Sequence, residues 1–126
     1  MAHILVVDDE PEIVKLVSRL MEGRGHRVTI ARDGQEALEA VERERPDLLI
    51  IDLNLPKVDG FEVTKRLRAA AATHGLPIVM MTAAFPTVID ADRGLTAGAD
   101  EYVVKPFLRE VLLHNVERLL AKAAPP

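Results

Sequence analysis

The chain has 126 residues, with 16 Lys and Arg against 20 Asp and Glu, a formal net charge of −4 and 48% hydrophobic residues. This profile predicts one globular domain with a single core. No Cys is present, which excludes disulfides, thiol nucleophiles and thiolate metal sites. The acidic balance, with 3% aromatic residues, argues against direct nucleic-acid binding. The longest uncharged stretch, 69–89, is interrupted by Gly75, Pro77 and Pro86, so no membrane span is predicted.

Strands and helices are predicted to alternate along the chain. Short, almost wholly apolar runs are separated by longer segments whose apolar residues recur every three or four positions. This alternation is typical of a parallel sheet with helices on both faces, an α/β fold of the (βα)5 type. The predicted strands are 4–7, 28–31, 48–51, 78–81 and 102–104. The predicted helical faces are Ile13, Leu16, Val17 and Leu20; Ala37, Leu38 and Val41; Val63, Leu67 and Ala70; Val88, Ala91 and Leu95; and Leu108, Val111, Leu112, Val116 and Leu119.

Helix-start and helix-stop residues agree with this division. Pro11 occupies the position of a first-turn proline, and Gly23 is placed to end the first helix. Asp33 and Asp59 each precede a Gly at the start of a predicted helix. We therefore expect one domain over residues 1–122, followed at 123–126 by a short tail or the start of a linker. The four histidines show no metal-ligand spacing and are predicted to be surface or strand-edge residues: His3, His26, His74 and His114.

Polar residues follow four of the five predicted strands. Ligand chemistry in an open parallel sheet gathers beyond the carboxyl ends of the strands, where loops and helix N-termini converge. The residues after the first, third, fourth and fifth strands are Asp8, Asp9 and Glu10; Asp52; Thr82; and Lys105. Three aspartates, a hydroxyl and a lysine are thus predicted to share one edge of the sheet.

Each of these residues has a simpler explanation when it is taken alone. The aspartate pair can cap a helix, Asp52 can open a loop, Thr82 can end a strand and Lys105 can be solvated. Capping explains one of the strand ends and leaves Asp52 and Lys105 unexplained. Their joint occurrence favours a common site.

Carboxylates that converge on one pocket repel one another unless a cation lies among them. Oxygen ligands without His or Cys select a hard ion, and Mg²⁺ is the usual one where a phosphate also binds. Lys105 would neutralise phosphoryl oxygens and the Thr82 hydroxyl would donate to another. A carboxylate in line with an incoming phosphorus can act as the nucleophile.

The chain resembles, over essentially its whole length, the receiver domain of two-component response regulators. The resemblance rests on the acidic pair Asp8-Asp9, on the segment from Asp52 to Gly60, on Thr82-Ala83 and on Lys105-Pro106-Phe107, which occur in the family's order and at nearly its spacing. It implies a flavodoxin-like strand order of 2-1-3-4-5.

For the acidic residues the resemblance implies specific roles. Asp52 is expected to be the phosphoacceptor, attacking the phosphohistidine of a sensor histidine kinase or a histidine phosphotransfer protein. Asp9 is expected to bind Mg²⁺ directly and Asp8 through water, with Asp52 as a further ligand. The backbone carbonyl of Asn54 is expected to complete the metal site.

The resemblance also implies how phosphorylation is sensed. Thr82 and Lys105 would contact the phosphoryl oxygens, and Tyr102 matches a switch aromatic that turns inward when Thr82 is drawn to the phosphoryl group. The Lys105-Pro106 bond is expected to be cis, as in relatives.

The partners implied are a kinase or phosphotransfer protein upstream, and downstream a protein partner or an output domain. The surface made by the fourth helix, the fifth strand and the fifth helix is expected to change on phosphorylation and is also where homodimers form in relatives. The domain is expected to be cytoplasmic, to act on neither membrane nor nucleic acid directly, and to catalyse only its own phosphorylation and dephosphorylation.

Other readings of the same residues stay open. A Mg²⁺-dependent phosphohydrolase with an aspartyl nucleophile shares the chemistry, although it would show an Asp-x-Asp motif after the first strand and a cap domain. A degenerate receiver kept only for binding is disfavoured because every chemical position is filled. A flavodoxin-type electron carrier needs a Ser/Thr/Gly-rich loop where Asp8-Asp9-Glu10-Pro11 stands.

Overall fold

A computed structural model describes residues 1–82 and 98–123, which form five strands and four helices. The strands are β1 (His3–Val7), β2 (Arg27–Ala31), β3 (Leu48–Asp52), β4 (Ile78–Thr82) and β5 (Glu101–Val104). The helices are α1 (Pro11–Glu22), α2 (Gly34–Arg43), α3 (Gly60–Ala69) and α4 (Arg109–Ala123). The fifth predicted helix is therefore α4, whereas the fourth, with Val88, Ala91 and Leu95, lies outside the described residues.

The strands form one parallel sheet in the order β2-β1-β3-β4-β5, which confirms the predicted order. Val7 is paired with Ala31 on one side and with Ile51 on the other. Thr82 is paired with Val104. This register brings the carboxyl ends of all five strands to the same edge of the sheet, here called the carboxyl edge.

Helices cover both faces of the sheet because side chains alternate along each strand. In β1, Leu5 and Val7 belong to the buried cluster that includes residues of α2 and α3. Ile4 and Val6 belong to a second cluster that includes residues of α1 and α4. The β1 and β3 strands are fully buried, as expected for central strands covered on both sides.

The predicted helix starts are confirmed. Pro11 opens α1, with Glu10 at the N-cap position. The carboxylates of Asp33 and Asp59 accept hydrogen bonds from the backbone N–H groups of Glu36 and Glu62, which caps α2 and α3. These caps place the loops after β2 and β3 at the carboxyl edge.

A close backbone approach holds the loop after β3 against α2. A Cβ atom added to Gly34 would lie 1.7 Å from the carbonyl oxygen of Val58, so no side chain fits there. Lys57, in the same loop, adopts a φ of 68° and places its Nζ 3.5 Å from an Asp33 carboxylate oxygen. The loop that carries Asn54 is thus fixed by the N-terminus of a neighbouring helix.

At the opposite edge of the sheet, Arg68 connects three segments. Its guanidinium donates to the carbonyl oxygens of Gly98 (2.8 Å) and His74 (2.9 Å) and to that of Leu76. It also donates to Asp100 Oδ2 at 2.9 Å, and the same oxygen accepts from the backbone N–H of Ile78 at 2.7 Å. Arg68 thereby ties the end of α3 to the starts of β4 and β5.

The two ends of the described chain meet at this same edge. The backbone N–H of Ala2 donates to His26 Nδ1 at 3.1 Å, so the ring proton is on Nε2, which lies 3.0 Å from Glu117 Oε1 in α4. Met1, Ala2 and Ala123 line one surface recess.

Several sequence-based expectations about burial are wrong. Leu16 was expected on the core face of the first helix but has an exposed fraction of 41%, and Ala70, expected on the core face of the third, is exposed just past the end of α3. Leu108 and Val111 were expected on the core face of the last helix, but their exposed fractions are 69% and 45%, because α4 begins only at Arg109 and packs through Leu112, Val116 and Leu119. His3, predicted to be a surface or strand-edge residue, is the first residue of β1 and is buried there, with its Nε2 2.7 Å from Thr29 Oγ1.

No helix within residues 1–82 and 98–123 is long and apolar enough to cross a membrane.

Candidate functional site

Four of the predicted site residues lie at the carboxyl edge of the sheet. Asp8 follows β1, Asp52 ends β3, Thr82 ends β4 and Lys105 follows β5. Asp8, Asp52 and Thr82 are buried, with exposed fractions of 0%, 3% and 3%. Buried polar groups need partners, so this edge is built for interactions rather than for packing.

The Lys105 ammonium lies among three carboxylates. Its Nζ is 2.8 Å from Asp8 Oδ2, 3.4 Å from Asp52 Oδ1 and 3.6 Å from Glu10 Oε1. Burial alone would lower the pKa of Lys105, but the hydrogen bond to Asp8 and the charges of the surrounding carboxylates outweigh burial and raise the pKa. The ammonium therefore stays charged, and one cation is shared by three anions.

The Asp52 carboxyl has an unusual electrostatic environment. Burial, together with the negative charge of Asp8, raises the pKa of Asp52 from 3.8 to about 6, although Lys105 acts in the opposite direction. Its Oδ1 is buried and makes no hydrogen bond within the described part of the chain. At neutral pH Asp52 is thus largely ionised, and Lys105 balances its negative charge only in part.

The donor set fits a hard cation. Asp8, Asp9 and Glu10 each offer a carboxylate oxygen, and these oxygens lie within 4.8 Å of one another. Asp9 and Glu10 are exposed, so the cluster opens to solvent. Asp52 lies nearby with a negative charge that Lys105 balances only in part. The site thus offers only oxygen ligands, which Mg²⁺ prefers. Asn54 lies exposed in the loop after β3.

Backbone contacts hold these side chains in place. Asp8 Oδ1 accepts a hydrogen bond from the Glu10 backbone N–H at 2.9 Å, which leaves its other oxygen for Lys105. The Lys105 backbone N–H donates to the carbonyl of Thr82 at 2.7 Å. The Lys105-Pro106 peptide bond is cis, as expected.

Tyr102 lies in β5 opposite Met80 of β4. Its ring is partly buried against the cluster that α2 and α3 cover, and its hydroxyl is buried without a hydrogen-bond partner among residues 1–82 and 98–123. The Tyr102 side chain thus already places its hydroxyl oxygen in the protein interior.

Sequence reasoning left Glu10 without a role, although it follows the aspartate pair directly. The structure places its carboxylate beside Lys105, so the uninterrupted acidic triplet was the available signal. Arg68 and its backbone partners were also missed.

The chain matches a known family over most of its length. A sequence model of the response regulator receiver domain matches residues 4–117. The DNA-binding response regulator MtrA of Mycolicibacterium smegmatis is 43% identical over 95% of this chain and 51% of its own length. The chain spans about half the length of the curated relatives it matches.

Solved structures give the same result. The chemotaxis response regulator CheY4 of Vibrio cholerae is 35% identical, with a TM-score of 0.87 over 94% of this chain and 98% of that one. The receiver domain of the sensor histidine kinase PA1611 of Pseudomonas aeruginosa is 32% identical, with a TM-score of 0.87 over 95% of this chain and 98% of that one, and has a magnesium ion in its active-site cleft. The chain therefore belongs to the response regulator receiver domain family, whose members are phosphorylation-controlled signalling switches.

Proposed function

We propose that Asp52 is the phosphoacceptor of this domain and that its phosphorylation by a histidine kinase or histidine phosphotransfer protein is the signal. The observation that carries the proposal is the Asp52 carboxylate itself, buried at the carboxyl edge, paired with Lys105 and next to Asp8. A pKa of about 6 makes this carboxylate more basic than an ordinary aspartate while leaving it mostly ionised at neutral pH.

The transfer requires little from the protein beyond position and charge. An Asp52 oxygen attacks the phosphorus of the donor phosphohistidine, the phosphorus–nitrogen bond breaks and its electron pair returns to the imidazole of the donor. Lys105 faces the growing charge on the phosphoryl oxygens, and Thr82, at the neighbouring strand end, donates to another. The product is an acyl phosphate on Asp52.

Asp8, Asp9, Asp52 and the backbone carbonyl of Asn54 would hold Mg²⁺. When bound, the ion supplies positive charge to the phosphoryl oxygens and relieves the repulsion among these carboxylates. The oxygen-only donor set and the buried Asp52 Oδ1, which makes no hydrogen bond within residues 1–82 and 98–123, support this assignment.

The response to phosphorylation is proposed to pass through Thr82 and Tyr102. Thr82 and Tyr102 lie on neighbouring strands, and the Tyr102 hydroxyl is buried without a hydrogen-bond partner among residues 1–82 and 98–123. Movement of Thr82 toward the phosphoryl group would change the space available to the ring and shift the equilibrium between two arrangements.

The output surface is proposed to include β5 and α4 with the fourth predicted helix. Val104, Leu108 and Val111 expose 40%, 69% and 45% of their surfaces there. Such a group of exposed apolar side chains suits a protein partner, an output domain or a second copy of the chain. We infer that this domain contacts no nucleic acid itself. The description of MtrA as DNA-binding belongs to a protein about half of which lies outside the match.

Acetyl phosphate with Mg²⁺ should label the wild-type protein at Asp52, and Asp52→Asn should abolish the label. Phosphate incorporation is followed by intact-mass spectrometry and the site by peptide mapping after borohydride reduction of the acyl phosphate. An Asp52→Asn variant that is still labelled stoichiometrically at another residue contradicts the assignment. Removal of Mg²⁺ with a chelator should abolish the wild-type label as well.

Lys105→Met should slow labelling roughly 100-fold, because one charged donor to the phosphoryl oxygens is lost while most of the side-chain volume remains. The measurement is the second-order rate constant with acetyl phosphate at saturating Mg²⁺. Lys57→Met is the matched control, since the Lys57 side chain is 68% exposed and its ammonium pairs with Asp33 instead. Equal rates in the two variants would contradict the role of Lys105.

A further inference from the structure

We propose that Glu10 makes this receiver discriminate among phosphodonors by charge, disfavouring small dianionic donors. The inference rests on the proposed role of Asp52 and concerns a residue for which the sequence analysis gave no function. Glu10 is the exposed carboxylate beside Lys105, on the side from which solvent reaches the acidic cluster.

The position of the Glu10 side chain is informative because Glu10 is the N-cap residue of α1. An N-cap side chain usually accepts a hydrogen bond from a backbone N–H of the first helical turn, but Glu10 makes no such bond. Its carboxylate instead points to Lys105, with Oε1 3.6 Å from Nζ. The backbone of Glu10 is held in place by its N–H, which donates to Asp8 Oδ1.

Glu10 differs from the two other carboxylates around Lys105 in being exposed. The exposed side-chain fractions are 61% for Glu10, 0% for Asp8 and 5% for Asp52. Asp8 and Asp52 are fixed parts of the pocket, whereas Glu10 can move to solvent. It is therefore the anion that an incoming phosphoryl group displaces from Lys105.

This displacement depends on the charge of the donor. A free dianion such as acetyl phosphate meets the Glu10 carboxylate on the way to Lys105 and is repelled by it. Phosphoramidate carries less negative charge at neutral pH and is repelled less. The residue thus disfavours small dianionic donors relative to small donors that carry less negative charge.

The test is the rate of Asp52 labelling in Glu10→Gln, which keeps the shape of the side chain and removes its charge. With acetyl phosphate at saturating Mg²⁺ and low ionic strength, the second-order rate constant should rise about threefold, the scale of an exposed charge interaction. With phosphoramidate the rise should be smaller. At an ionic strength of about 0.5 M, where the Debye length is short, both differences should shrink toward zero.

Glu12→Gln is the matched control, because Glu12 is an exposed carboxylate in the first turn of α1 and the net charge changes equally. It should leave both rates unchanged. Thermal unfolding with increasing Mg²⁺ measures metal affinity separately and shows that the rates are compared at saturation.

Equal acceleration by Glu10→Gln and Glu12→Gln would overturn the inference, since only net charge would then matter. Equal acceleration with both donors, or slower labelling in Glu10→Gln, would also overturn it. These results would leave the proposed function intact, because Asp52 would still be labelled. A wild-type protein that is not labelled at Asp52 contradicts the proposed function itself.

Discussion

Substitution of Arg68 by alanine is expected to lower the free energy of unfolding by about 3–4 kcal/mol, because several hydrogen bonds from one charged group are lost together. The side chain is 18% exposed and donates to carbonyl oxygens of Gly98, His74 and Leu76 as well as to Asp100. Without it, these carbonyls and the Asp100 carboxylate lose a common partner. The change should lower Tm by on the order of 10 °C in a domain of this size.

Arg66→Ala provides the control within the same helix. Arg66 is 52% exposed and, within residues 1–82 and 98–123, forms an ion pair with Glu62 alone, one helical turn away, so its loss should cost about 0.5 kcal/mol or less. Urea unfolding of the two variants, followed by circular dichroism, measures the difference. A loss below about 1 kcal/mol in Arg68→Ala would show that the carbonyls find other partners.

Asp52→Asn is expected to stabilise the metal-free protein at pH 7.5 by about 2 kcal/mol. The difference between the ordinary pKa of 3.8 and the value of about 6 in the folded protein corresponds to about 3 kcal/mol of unfavourable ionisation. The neutral amide removes this cost, although it remains a buried polar group. Lys105 keeps its partner Asp8 at 2.8 Å in the variant.

The effect of Asp52→Asn on the free energy of unfolding is expected to depend on pH. Between pH 4 and pH 6 the folded protein holds a proton on Asp52 that the unfolded chain has released. The ionised carboxylate destabilises the folded protein above about pH 6, and this destabilisation is lost as the pH falls toward 4. The stability advantage of Asp52→Asn should therefore be full above pH 7 and decrease by about 3 kcal/mol as the pH falls to about 4, so that the wild type is then the more stable protein. Comparing the two proteins at each pH removes the contributions of other groups, such as Asp33 and Glu44, whose lowered pKa values act in the opposite direction.

A constant difference in unfolding free energy between the two proteins from pH 4 to pH 8 would contradict this account, since a titrating Asp52 carboxyl must make that difference depend on pH. Mg²⁺ supplies a second check. Addition of the ion at pH 7.5 should raise the Tm of the wild type more than that of Asp52→Asn, because the variant has lost a charged ligand.

The central fold was predictable because strands buried on both faces consist of apolar residues. Each observed strand nevertheless extends one residue beyond its apolar run, to His3, Arg27, Asp52, Thr82 and Glu101. Backbone pairing continues past one end of each apolar run, before it in β1, β2 and β5 and after it in β3 and β4, and hydrophobicity does not report this. The strand order followed from family resemblance, and not from periodicity.

The candidate site was predictable in its members, since polar residues at strand ends converge in a parallel sheet. What could not be predicted was the sharing of Lys105 among three carboxylates, because the distances depend on the register of β1, β3 and β5. Arg68 was not predictable for a similar reason. Its partners are mainly backbone carbonyls, and any sequence supplies those.

The two ends of the described chain lie together, and this has a consequence for where labels can be attached to the domain. Ala2, His26 and Glu117 join the start of β1 to α4 at the edge opposite Asp52, one strand length of about 17 Å away. A fluorescent protein or affinity tag on Met1, or a probe attached at Ala123, would leave the acidic pocket open to its donor. A label attached at either of these residues and the phosphodonor thus contact opposite edges of the sheet.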